Sequence, residues 1–154
     1  MYTHSLKPIG SSGGFALLRI VSAFPLACFT GAVVTDLAYW GTADMIWADF
    51  SAWLLAFGMA TGVLAAVVGL VDLARHRQVL PMSRAWPVVL GSVIALGLGF
   101  LDNLVHSRDA WTSVVPGGLV LSVLTAIVAL ATGWLAVGRL VWIETAPMGV
   151  GSRV

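Results

Sequence analysis

Charge is what this chain of 154 residues has least of: Asp, Glu, Lys and Arg make up 10% of it, against 59% hydrophobic residues. The formal net charge is +1, and no Lys/Arg cluster is present to replace the counterions of a phosphate backbone, so nucleic acid is not an expected partner. Cysteine is as scarce. Cys28 is the only one, which rules out an intramolecular disulfide or a multi-cysteine metal site and leaves compartment unreadable from thiol usage. Histidine is limited to His4, His76 and His106. No G-x-S-x-G, phosphate loop or zincin pattern occurs, so no motif marks an enzyme and a non-enzymatic role is the expectation.

What the chain has instead is long apolar sequence. A mean hydropathy of +0.96 and the uncharged runs place it among integral membrane proteins. The expected fold is an all-α membrane protein with four transmembrane helices in an antiparallel up-down bundle. Residues 15–143 form this domain, with spans over about 18–40, 47–71, 85–106 and 117–142, each long enough at 1.5 Å per residue to cross about 30 Å of hydrocarbon. Residues 1–14 read as a polar, glycine- and serine-rich leader and 144–154 as a short polar tail. Pro25 falls inside the first span, where it kinks the helix. Pro116 opens the fourth, where its missing N–H costs nothing. In the second span Gly58, Gly62, Ala65, Ala66 and Gly69 recur at helical spacing, a seam that lets another backbone approach.

The basic residues give the orientation. Lys7, Arg19, Arg75, Arg77, Arg84, Arg139 and Arg153 fall on one side of a four-span arrangement and Arg108 alone on the other. By the positive-inside rule both termini are expected in the cytoplasm. Asp36, Asp44, Asp49, Asp102 and Asp109 fall on the outer side. Trp40, Trp47 and Trp111 suit an outer interfacial belt, and Trp86 and Trp142 an inner one. An internal echo links the halves: Ala60-Thr61-Gly62-Val63-Leu64-Ala65 resembles Ala131-Thr132-Gly133-Trp134-Leu135-Ala136, and Asp36 ends span one much as Asp102 ends span three. Duplicated helical hairpins and chance similarity of small residues both remain open readings.

Nearly all the unusual polar residues gather between Phe100 and Trp111, in F-L-D-N-L-V-H-S-R-D-A-W. Asp102 and His106 are four apart and so share a helix face, where the carboxylate can hold one ring nitrogen. If the repeat is real, Asp36 stands opposite. Asp36, Asp102, His106, Arg108 and Trp111 therefore form a candidate surface for a quinone headgroup or other small ligand, and Asp36, Asp102, His106 and Asp109 a candidate divalent-metal set. The simpler expectation is that these residues cap the ends of spans one and three at a wet interface, with Arg108 paired to Asp102 or Asp109. A b-type haem needs two histidines at matching depth on facing helices, and the sequence does not supply them within one chain. Haem shared between two chains through His106 stays open. The mid-span polar residues are Ser, Thr and Cys, which a helix backbone can satisfy.

F-P-L-A, a span ending T-D-L-A-Y-W, W-L-L-A-F-G-M-A-T-G-V-L-A-A-V-V-G-L-V-D-L, N-L-V-H-S-R-D-A-W and a closing T-G-W-L and M-G-V together resemble the bacterial membrane family known as domain of unknown function 2231. The resemblance runs from Arg19 to Val150. It implies four spans, a bacterial inner (cytoplasmic) membrane location and an uncharacterised function. Members often stand beside or are fused to redox modules, so it also implies an accessory or anchor role in a membrane redox system, with a redox enzyme or a second copy of the chain as partner besides the lipid bilayer. Many members begin span one with H-P-x-x-V-H-F-P. Here Leu18 and Ala23 replace both histidines, and any ligand role of those histidines does not carry over.

Overall fold

A computed structural model describes residues 12–75, 82–108 and 114–145. They form four long helices: α1 Ser12–Thr42, α2 Met45–Arg75, α3 Met82–His106 and α4 Leu119–Thr145. A wide turn, Val114–Gly118, leads into α4. Even α3, the shortest at 25 residues, is about 37 Å long at 1.5 Å per residue, enough to cross a bilayer. All four carry spans of the length and apolarity to do so: Ile20–Thr42, Met45–Val71, Ala85–His106 and Val114–Gly138. No strand occurs among the described residues. The described helix α1 begins at Ser12, inside the stretch expected as leader.

The helices pack in a ring, each against its two sequence neighbours, with α4 closing back on α1. Their directions alternate, because Asp36 and Asp102, late in α1 and α3, meet Ser122, early in α4. This is the expected antiparallel up-down bundle. The α1–α2 turn is tight. Ala43 takes a left-handed conformation (φ 54°), and Asp44 Oδ1 accepts a hydrogen bond from the Ile46 amide at 3.1 Å, capping α2. Val115 is extended (φ −126°, ψ 128°), as steric contact with the ring of Pro116 demands.

Glycines on three helices make room for large side chains of α1. Phe29, buried, lies against both Gly58 of α2 and Gly99 of α3, where an added Cβ would come within 2.9 Å and 3.2 Å of its ring. Leu26 fills the space at Gly133 of α4 in the same way. Around Phe29 the core consists of Ala32, Leu55, Ala95 and Ala129, with Leu26, Leu54, Met59 and Val128 at its margin. The small-residue seam of α2 is shorter than its spacing suggests. Gly58 and Gly62 are contact points, but a Cβ at Gly69 would meet nothing.

Outside this core the surface is apolar. Ile20, Phe24, Trp53, Phe57, Val93, Leu130 and Trp134 all point outward, Trp134 with 80% of its surface exposed. An exposure of this kind suits lipid tails rather than water. Trp40 and Trp86 are exposed near opposite ends of the bundle, as interfacial anchors would be.

Gly91 of α3 faces Thr132 of α4 so closely that an added Cβ would collide with the Thr132 hydroxyl. Gly91→Ala is therefore expected to lower unfolding stability in detergent by about 1–3 kcal/mol through overpacking. Gly69→Ala, placed in open space, should stay within about 0.5 kcal/mol of the parent in the same thermal melt.

Candidate functional site

The apolar helices bury one polar cluster near the end of the bundle where α1 and α3 finish and α4 begins. Asp36, Asp102 and Ser122 have no exposed surface, and His106 is buried with them. Asp102 and His106 share a face of α3 because they are four residues apart. That face looks into the bundle. Asp36 of α1 and Ser122 of α4 reach the same point from two other helices.

The contacts are short and connect every member. His106 Nε2 lies 3.0 Å from Asp36 Oδ1, a contact between residues 70 apart in sequence that spans the bundle. His106 Nδ1 lies 3.0 Å from the backbone carbonyl of Asp102 and 3.1 Å from Asp102 Oδ1. The ring N–H is directed at the carbonyl, so Oδ1 is close but without a properly aligned donor. Ser122 Oγ lies 2.6 Å from Asp36 Oδ2 and 2.9 Å from Asp102 Oδ2. The hydroxyl thus sits between two carboxyl groups from two different helices.

A second polar contact joins α1 to α2 beside it. Thr35 Oγ1 and Ser51 Oγ are 2.7 Å apart, and Thr35 also donates to the Ala32 carbonyl at 3.0 Å. Ser51 precedes Thr61-Gly62 by the same interval that separates Ser122 from Thr132-Gly133. Both serines are fully buried. The echo between the hairpins thus extends to the serine that each places in the bundle interior.

Asp36, Asp102 and His106 of the sequence-derived candidates come together. Arg108 does not join them: it follows the end of α3 and is exposed. Trp111 and Asp109 lie outside the described residues, as do residues 1–11, 76–81 and 146–154. The expectation of a wet, capping rim is corrected for Asp36 and Asp102, whose carboxyl groups are turned inward onto partners from other helices. The expectation that mid-span hydroxyls are satisfied by their own backbone holds for Thr30, Thr61, Ser92 and Thr132. It fails for Ser122, which bonds side chains instead. The one sequence signal for it is the shared interval of Ser51 and Ser122.

Chemically, the cluster is self-contained. Both ring nitrogens of His106 are engaged, so neither faces outward as a ligand for iron. Among the described residues no group of three or more His, Cys, Asp or Glu is arranged to hold a metal ion. The donors are spent on one another.

A family model described as "Predicted membrane protein (DUF2231)" matches residues 19–146. The chain belongs to this family. No curated protein and no solved structure matches it. The two positions where family histidines are replaced, Leu18 and Ala23, lie in the first half of α1. At 1.5 Å per residue Ala23 is about 20 Å along the helix from Asp36, so the substitutions are remote from the cluster.

Thr125, one turn beyond Ser122 on α4, is fully buried with an unpartnered hydroxyl. Ser122→Ala, which strips a partner from two buried carboxyl groups, should cost about 2–3 kcal/mol in detergent unfolding. Thr125→Val keeps the shape and removes an unsatisfied group, so it should be neutral or stabilising in the same assay.

Proposed function

We propose that this protein is a non-catalytic accessory or anchor subunit of the bacterial inner membrane, associated with a membrane redox system, and that its polar cluster is an interhelical lock. One observation carries the reading. The carboxyl, imidazole and hydroxyl groups are turned away from the surface and bonded to one another, which leaves an apolar exterior as the chief surface offered to lipid or to a partner. The basic residues on one side favour cytoplasmic termini, which puts the cluster near the outer leaflet. The redox association is supported by the family resemblance alone.

A quinone-binding subunit is the second reading, and it fits the geometry less well. A headgroup would have to displace the His106–Asp36 contact to reach a donor, and removing one partner from a buried charged pair costs about 3–5 kcal/mol. Among the described candidates, Arg108 is the one that is exposed at the bundle end, where it could approach a ligand.

Purification from the native membrane in mild detergent, followed by an absorption spectrum and organic extraction, separates the two. The accessory reading predicts a complex with a larger protein that carries a redox centre, and no chromophore or stoichiometric quinone on this chain. Recovery of this chain alone, or with one extractable quinone per chain that is lost in Arg108→Ala, would contradict it.

A further inference from the structure

The cluster poses a question of hydrogens. Four contacts at hydrogen-bonding distance join its groups: His106 Nε2 to Asp36 Oδ1, His106 Nδ1 to the Asp102 carbonyl, and Ser122 Oγ to one oxygen of each Asp. Each needs one hydrogen. Two carboxylates, a neutral imidazole and a hydroxyl supply only two between them and carry two negative charges. Two negative charges inside an apolar bundle, with no cation among the cluster, are strongly disfavoured by desolvation. Two added protons complete all four contacts and bring the net charge to zero.

The geometry also says where they sit. The backbone carbonyl only accepts, so Nδ1 carries a hydrogen. One added proton then lies between Nε2 and Asp36. The Ser122–Asp36 contact, at 2.6 Å, has the length of a hydroxyl donating to a carboxylate. Having given its single hydrogen there, Ser122 can only accept at its longer, 2.9 Å contact with Asp102 Oδ2. The second proton therefore belongs on Asp102. An independent feature agrees: Asp102 Oδ1 is buried with no aligned donor, a place suited to the carbonyl oxygen of a carboxylic acid and not to a carboxylate, which needs donors on both oxygens.

We propose that the cluster is a proton-binding site within the membrane domain, loaded with two protons, one carried on His106 Nε2 and donated to the Asp36 carboxylate, and one held on Asp102 and donated to Ser122. Loss of either leaves a buried net charge and removes the hydrogen from a contact between helices, so proton occupancy and the α1–α4–α3 packing are linked. The groups facing the site are Asp36 from α1, Ser122 from α4 and Asp102 from α3 itself. Among the described residues the other charged side chains at this end, Asp44, Asp49 and Arg108, are exposed. The inference stands whether or not the protein is an accessory subunit.

Infrared spectroscopy of the full chain in lipid bilayers tests it. Protein labelled with [4-13C]aspartate should show a carbonyl stretch of a protonated carboxylic acid that moves on labelling and moves again in D2O. Asp102→Asn should abolish the band entirely, Asp36→Asn should leave it, and Ser122→Ala should shift it upward through loss of the acceptor. If a variant does not fold, absence of the band from the wild type still overturns the proposal. Absence of a label-sensitive carboxylic acid band in the wild type, or its survival in folded Asp102→Asn, would overturn the proposal.

Discussion

The contact between His106 and Asp36 is the constraint on which the rest of the bundle depends. An ionisable group inside a hydrocarbon slab has no water to fall back on, and the cost of leaving it unpaired is several kcal/mol. Asp36 and His106 are near the ends of their helices, yet neither reaches into solvent. Each is placed by its own helix, so the 3.0 Å contact between them sets α1 and α3 across the bundle from one another at a fixed depth and rotation. Ser122 then fixes α4 against both.

Such a cluster forms only if the backbones come close enough, and the apolar half of the bundle is built for that. Hydrophobic transfer does not drive helices together in lipid, so close packing must. Phe29 against Gly58 and Gly99, and Leu26 against Gly133, provide it one to three turns from the polar layer. The large side chain is on α1 in each case, and the glycine is on the neighbour. This division of roles puts α1 in contact with all three others, and it is also the helix that carries Asp36.

Much of this was legible in the sequence because membrane helices announce themselves by length and hydropathy, and because a spacing of four residues puts Asp102 and His106 on one face whatever the fold. The weak echo between hairpins even pointed to Asp36 as their counterpart. The direction in which that face is turned was not legible. Periodicity shows which residues share a side of a helix, but a polar face late in a span can look into headgroups or into a bundle with equal local logic. Only the neighbours decide. Ser122 was hidden for a related reason: a serine in a membrane helix has its own backbone as a default partner, and nothing local distinguishes one that bonds across helices. The same holds for Gly69, which continues the spacing of Gly58 and Gly62 but meets no partner.

Solid-state NMR of the chain in lipid bilayers tests the central claim most directly, by measuring the dipolar coupling between the Asp36 carboxyl carbon and the Nε2 nitrogen of His106. A direct His106–Asp36 contact predicts a coupling strong enough for a pair separated by one hydrogen bond, kept when the lipid or detergent is changed. A coupling too weak for any contact, with His106 exchanging freely with bulk water, would contradict it.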